Sequence, residues 1–144
     1  MAFLLRHNIH HSVHPHKMNY HAKIYALFQI IVKRILATNT VGSISADLEP
    51  GDSVVPNDFV DFTKLRSPSF FDGVPVTNMD VSQRVCPEIR EGVRTVGEVE
   101  EVGGSGVITC TETLDLTPAE IEMFRQLDCN LVSMTVVPKS VIAR

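Results

Sequence analysis

Apolar residues recur at helical spacing in one segment near the start of the chain, residues 20–37, which contains no glycine or proline. At 100° per residue, most of its apolar side chains fall on one broad face and its charged side chains on the opposite one. Asn19 is suited to cap the start of such a helix and Asn39 to stop it. The pattern therefore predicts an amphipathic helix of about five turns. Its apolar face comprises Tyr20, Ile24, Leu27, Phe28, Ile31, Val32 and Ile35.

A second helix is predicted by capping chemistry. Thr117 can accept a hydrogen bond at the start of a helix, and Pro118 suits the first helical position, where no N–H partner is needed. Glu120 stands three residues after the threonine and can complete a capping box. We expect this helix to span about residues 118–128. Its buried side chains are expected to be Ile121, Phe124 and Leu127.

The chain after residue 40 is otherwise rich in Val, Thr, Gly and Pro, which is typical of short strands and turns. Residues 93–102 and 107–116 are two such runs, and residues 103–106 (Gly-Gly-Ser-Gly) between them predict a hairpin. Residues 131–137 predict a final strand that Pro138 ends. The expected fold class is α+β: an amphipathic N-terminal helix, then a small β-rich domain with a hairpin, one capped helix and a final strand.

Charge divides the chain into two unlike parts. Residues 1–46 contain five Lys and Arg and no Asp or Glu, whereas the rest of the chain contains eight Lys and Arg and all seventeen acidic residues. All six histidines also lie near the start of the chain. Such asymmetry predicts a basic arm, residues 1–40, joined to an acidic domain, residues 41–144.

Four of the histidines are spaced so that one helical turn would bring their imidazoles together as metal ligands. They are His7, His10, His11 and His14. No cysteine or acidic residue lies nearby to complete a ligand set, and Pro15 would interrupt the helix. A zinc site and a solvated, histidine-rich leader are both compatible with this pattern, and no other cofactor is expected.

The N-terminal segment also bears on localisation. Its apolar stretch between two lysines, residues 24–32, contains Gln29 and is much shorter than the roughly 20 residues of a transmembrane span, so no span is predicted. A basic, acid-free, amphipathic segment is also typical of mitochondrial import. An odd number of cysteines, three, without paired spacing indicates an intracellular, reducing compartment.

Residues 41–144 offer little recognisable catalytic chemistry. They contain neither histidine nor tyrosine, so a cysteine–histidine pair could not form within them. The glycine-rich residues 103–106 lack the lysine and the following helix that a phosphate-binding loop requires. We therefore predict no catalytic residues.

These observations favour a non-enzymatic interaction or assembly module that self-associates through its N-terminal helix. The partner is then another protein or a second copy of the chain. Nucleic acid is a further candidate partner, because the basic arm could neutralise its phosphates. An organelle-imported protein with an N-terminal targeting segment and a metal-binding protein are the alternatives. The residues expected at the interface are Tyr20, Ile24, Leu27, Phe28, Ile31, Ile35, Lys33 and Arg34.

Overall fold

A computed structural model describes residues 1–71, 73, 77–78, 80, 82–96, 106–113 and 115–143. A short 3₁₀ turn, Pro15–Lys17, precedes the first α-helix. The helices are α1 (Tyr20–Gln29), α2 (Pro87–Val96), α3 (Pro118–Gln126) and α4 (Lys139–Ile142). The strands are β1 (Gly42–Ser43), β2 (Pro56–Asp61), β3 (Gly106–Cys110) and β4 (Leu131–Ser133).

The four strands form one mixed sheet in the order β1-β4-β3-β2. β2, β3 and β4 run parallel, and β1 is antiparallel to β4. Parallel neighbours require crossover connections, and α2 and α3 lie in the two connections between the parallel strands. The prediction of a fold that mixes helices and strands is confirmed, but the strands are arranged as in an α/β protein.

The predicted hairpin is wrong where the structure describes it. The segment from Val93 to Val96 belongs to α2, and β3 pairs in parallel with both of its neighbours. Pro87 fits the first position of that helix, where no N–H partner is needed. Residues 97–105, which include the predicted glycine-rich turn, lie outside the described residues.

The predicted capped helix is confirmed. The Thr117 side chain accepts a hydrogen bond from the Glu120 N–H, and the Glu120 carboxylate accepts one from the Thr117 N–H at 2.7 Å. Phe124 is buried, but Leu127 is 50% exposed and follows the end of the helix. The final strand is shorter than predicted, because β4 ends at Ser133.

The long amphipathic N-terminal helix is not confirmed. α1 ends at Gln29, and the backbone turns away at Ile31, where φ is 58°. Tyr20 is buried, whereas Phe28 and Ile31 are each 72% exposed. The apolar face of the predicted helix is therefore continuous only in its first turns, and its second half is not covered by the described part of this chain.

The hydrophobic core occupies both faces of the sheet, because neighbouring residues along a strand point to opposite sides. One cluster comprises Phe59, Ile108, Cys110, Leu131, Val136 and Val137. A second cluster comprises Ile44, Phe124, Cys129 and Val132. A third, formed by Met18, Tyr20 and Ile142, packs α1 against α4. The division into a basic arm and an acidic domain stays a prediction.

One edge of the sheet collects the loops in which a site is expected. Cys110 pairs with both Asp61 and Ser133, so the carboxyl ends of the three parallel strands lie side by side. The amino end of antiparallel β1 reaches the same edge, since Gly42 pairs with Val132. In open α/β sheets, ligands bind outside the carboxyl ends of the strands. Among the described helices, none has the length and apolar character needed to cross a bilayer.

Candidate anion-binding site

Asn39, shortly before β1, lies at the centre of a polar cluster at this edge. Its side-chain oxygen accepts hydrogen bonds from Lys139 Nζ at 2.7 Å, from Thr135 Oγ1 at 3.0 Å and from the guanidinium of Arg6. Arg6 also donates to the backbone oxygen of Thr38 at 3.1 Å. Two cationic side chains and a hydroxyl therefore meet at one neutral amide.

The loop after β4 positions two of these donors. The N–H of Thr135 donates to Ser133 Oγ at 3.3 Å, and Thr135 itself is only 5% exposed. Val137 is buried in the core, its peptide bond to Pro138 is cis, and α4 begins at the next residue, Lys139. Thr135 thus lies in the short loop between β4 and α4, and Lys139 is the first residue of α4.

Arg66 holds the same loop from the side. Its guanidinium donates to the backbone oxygens of Met134 at 2.6 Å and Val137 at 2.7 Å, and it lies over the Tyr20 ring at 5.3 Å. The loop that carries Thr135 is therefore tied both to the segment after β2 and to α1. This arrangement fixes the loop without using the donors that face Asn39.

His7 supports Arg6. The Nε of Arg6 donates to His7 Nε2 at 3.2 Å, and His7 Nδ1 lies 2.9 Å from the backbone oxygen of Val13. Because Nε2 accepts a hydrogen bond from Arg6, Nδ1 carries the ring proton and donates it in a hydrogen bond to the Val13 oxygen. The neutral imidazole therefore orients Arg6 and adds no positive charge of its own.

The electrostatics of the cluster favour an anion. Burial, and after it the nearby charge of Arg6, lowers the pKa of Lys139 to about 7. Burial also lowers the pKa of Arg6 from its ordinary value. Among the described residues, neither side chain forms a salt bridge with a carboxylate. Two cations that lack a counter-charge can be compensated by a bound anion.

The hydrogen-bond count leads to the same conclusion. A side-chain amide oxygen has two lone pairs, whereas three groups donate to Asn39. At least one donor is therefore incompletely satisfied and can bond to an oxygen of an incoming anion. Charge-assisted hydrogen bonds of this kind are stronger than those between neutral groups.

A pocket of about 250 Å³ lies near the same loop. It shares Arg66 and Pro138 with the surroundings of the loop after β4. Its lining combines residues from the start of α1 and from the segment after β2. The lining residues are His16, Met18, Asn19, Tyr20, His21, Leu65, Arg66, Ser67 and Pro138.

The structure does not gather the four histidines expected to bind metal. His7 stacks on His11 with ring centroids 4.4 Å apart, whereas His14 stacks on His16 instead. His10 is exposed. Across the described ranges, no group of three or more His, Cys, Asp or Glu side chains could hold a metal ion. Zinc binding by these histidines stays a prediction, as does an interface formed by the face of α1.

The sequence pattern misses most of the anion site. It assigns Asn39 only a helix-stop role and counts Arg6 only as part of a basic arm. Thr135 and Lys139 are not singled out, although a lysine directly after an apolar strand and Pro138 is an unusual position for a charge. That lysine is the one local signal that could have indicated a buried cation.

Comparison with known proteins adds a family and relatives. The family model described as the phosphorylase superfamily matches residues 2–144. A protein of Methanocaldococcus jannaschii named "Probable S-methyl-5'-thioinosine phosphorylase" is 41% identical over 146 residues, which cover 100% of this chain and 58% of that protein. A protein of Moorella thermoacetica named "Probable 6-oxopurine nucleoside phosphorylase" is 45% identical over 148 residues, covering 99% of this chain and 57% of that protein.

A solved structure resembles the chain over nearly its whole length. The crystal structure of a methylthioadenosine phosphorylase from an Antarctic soil metagenomic library superposes with a TM-score of 0.92 at 30% identity. The match covers 99% of this chain and 52% of the solved one. The chain thus spans little more than half the length of its relatives.

These findings correct the functional prediction. The matched proteins are named as phosphorylases, which are enzymes, so the prediction of a non-enzymatic interaction and assembly module is wrong. The error has a physical origin. The absence of histidine after residue 21 excludes histidine catalysis within that part of the chain, but it does not exclude anion binding by arginine, threonine and lysine.

Proposed function

The chain belongs to the phosphorylase superfamily, and on this basis we propose that it forms the phosphate-binding part of a purine nucleoside phosphorylase. In such a reaction an oxygen of inorganic phosphate bonds to the anomeric carbon of the sugar while the bond from that carbon to the purine nitrogen breaks. The products are the free base and a pentose 1-phosphate. The names of the three relatives, which all specify purine nucleosides, support this class of substrate.

The observation that carries the proposal is the convergence of Arg6, Thr135 and Lys139 on Asn39. A phosphate ion has four oxygens and requires several donors at fixed directions. The cluster supplies a planar guanidinium, a hydroxyl and an amine at the carboxyl edge of the sheet, where ligands of such folds bind. Arginine and threonine are donors well suited to phosphate oxygens.

Binding in this cluster would promote the reaction in two ways. Arg6 and Thr135 would hold the phosphate in one orientation, so that attack on the sugar becomes effectively intramolecular. The loop that carries Thr135 is buried, which keeps water away from the attacking oxygen and favours phosphate over water as the nucleophile. His7 would contribute indirectly, because it positions the Arg6 guanidinium.

The reaction itself is the first test. The protein is incubated with inosine or 5'-methylthioadenosine in the presence and absence of inorganic phosphate, and free base and pentose 1-phosphate are quantified. We expect base release that requires phosphate and yields the two products in equal amounts. Equal release without phosphate would indicate a hydrolase and contradict the proposal, as would the absence of both base release and phosphate binding.

The role of Arg6 is the second part of this test. Loss of a hydrogen bond to a charged group costs about 1.5–3 kcal/mol, so Arg6→Gln is expected to raise the KM for phosphate by about ten- to hundredfold. The KM for the nucleoside should change much less. Arg34→Gln is the matched control, since Arg34 is exposed and pairs with Glu88 at 3.1 Å on the surface. An unchanged KM for phosphate in Arg6→Gln would refute the assigned site.

A further inference from the structure

Lys139 differs from the other donors of the cluster because its charge can change near neutral pH. It is the first residue of α4, is half-buried, and donates to Asn39 at 2.7 Å. The same Asn39 oxygen also accepts hydrogen bonds from Arg6 and Thr135. Its ammonium form has no carboxylate partner among the described residues, and it shares the Asn39 oxygen with two other donors.

The groups around Lys139 are cationic or neutral. Arg6 approaches from the N-terminal segment, Cys110 lies on β3, and Tyr20 is on α1, which packs against α4. Burial raises the pKa of the Cys110 thiol and of the Tyr20 hydroxyl, so both groups are uncharged at neutral pH. Arg66 adds a second permanent cation beside these two weak acids. This environment disfavours a further positive charge until an anion arrives.

We propose that Lys139 binds the phosphate anion in its protonated form and that anion binding draws a proton onto its amine. This inference rests on the proposed function, because it concerns the same site. Burial and the charge of Arg6 lower the pKa of Lys139 to about 7, so above that pH most of the amine is neutral. A bound anion replaces the missing counter-charge and favours the ammonium form.

The coupling between proton and anion is reciprocal. If the anion favours protonation of Lys139, protonation must favour the anion by the same factor. In the pH range where the free amine is neutral and the bound amine is charged, one proton is taken up for each anion. The affinity then falls by about tenfold for each unit rise in pH.

The test uses sulfate, because phosphate changes its own protonation near neutral pH whereas sulfate stays a dianion. Sulfate binding is measured by isothermal titration calorimetry at pH 8 and pH 9, in two buffers of different ionisation enthalpy. This range lies above the ordinary titration of histidine. We expect uptake of about one proton per sulfate and about a tenfold lower affinity at pH 9 than at pH 8.

Two lysine variants separate the site from the rest of the chain. Lys139→Met should bind sulfate without proton uptake and with no tenfold fall between pH 8 and pH 9. Lys33→Met is the matched control: Lys33 is exposed and lies outside the cluster, so this variant should behave as the wild type. Lys139→Arg keeps a permanent charge and should also bind sulfate without proton uptake. This variant replaces Lys139→Met in the test if Lys139→Met does not fold.

The outcomes distinguish the inference from the function on which it rests. Sulfate binding by the wild type without proton uptake would overturn the role of Lys139, as would proton uptake that persists in Lys139→Met. In either case the phosphorolysis assay could still succeed, and the proposed function would stand. If neither sulfate nor phosphate binds, the anion site is wrong and both proposals fail.

Discussion

At the scale of single residues, the candidate anion site brings together two cationic groups that repel one another. Arg6 and Lys139 both approach one amide oxygen, and burial lowers the pKa of each. Like charges at short distance in a partly dry environment repel more strongly than they would in water. Strain of this kind is common at functional sites, where neighbouring charges are arranged for a ligand.

The stability of the chain should therefore depend on pH through Lys139. The pKa of this group is lowered from 10.5 to about 7 on folding, so the unfolded chain binds more protons between these values. Stability consequently rises with pH across this range and is reduced below it. Each unit of pKa shift is worth about 1.4 kcal/mol.

Lys139→Met removes this titration. In the absence of anions, we expect its free energy of unfolding to exceed that of the wild type by about 3 kcal/mol at pH 7, which is less than the full shift implies because the side chain is only half-buried. The advantage should shrink towards pH 10, because the folded-state amine is then neutral and the unfolded-state amine is approaching its ordinary pKa of 10.5. Urea unfolding of the variant and the wild type at both pH values measures this difference in the free energy of unfolding. If the difference in free energy of unfolding between Lys139→Met and the wild type were the same at pH 7 and pH 10, this account would be contradicted.

At the scale of elements, the start of α3 is stabilised by contacts within four residues. The capping box between Thr117 and Glu120 satisfies two N–H groups that the helix leaves free. The hydrogen bond from the Thr117 N–H lowers the pKa of Glu120, so the interaction is present above the ordinary pKa of the carboxyl and is lost as the pH falls through its lowered value.

Thr117→Ala is expected to lower the free energy of unfolding by about 1 kcal/mol, because one of these bonds is removed. Thr95→Ala is the matched control. Thr95 is exposed within α2 and donates only to the Glu91 carbonyl of its own helix, so its replacement should change stability by less than about 0.5 kcal/mol. Chemical denaturation measures both variants, and equal losses in the two would refute a special role for the cap.

Strand pairing is the element-scale feature that sequence patterns predict least well here. Val93 and Val96 are residues of high strand propensity, yet both belong to a helix that starts at Pro87. β3 then finds its partners in strands that are distant in the chain. Propensity is a weak guide in such segments because burial against distant elements outweighs it.

At the scale of the whole molecule, the anion site exists only in the folded chain. Arg6, Thr135 and Lys139 lie 33, 96 and 100 residues from Asn39 in sequence. An anion that binds only this assembled site must stabilise the folded state over the unfolded one. If the site binds phosphate as proposed, phosphate binding is linked to the stability of the folded chain.

Phosphate should consequently raise the melting temperature. At a concentration one hundredfold above Kd, the expected gain is about 2.7 kcal/mol in the free energy of unfolding. Sodium chloride at the same ionic strength controls for general screening. Arg6→Gln should show a much smaller shift at the same phosphate concentration. An equal shift with chloride, or in this variant, would contradict specific binding at the cluster.

The sequence by itself determined the features that depend on neighbours along the chain. The capped helix is recognisable because Thr117, Pro118 and Glu120 act on one another across a single turn. The mixture of helices and strands is also apparent, since it follows from local composition and periodicity. The basic character of the first residues is equally plain, and it includes Arg6.

Only the tertiary structure decided the parallel pairing of the strands and the meeting of Arg6, Asn39, Thr135 and Lys139. Both depend on contacts between segments that are far apart in sequence, and no local pattern encodes which segments will meet. Separated along the chain, these cationic, amide and hydroxyl side chains show no sign of a shared site. They form an anion site only when the sheet brings them within hydrogen-bonding distance and burial removes the water that would otherwise solvate them.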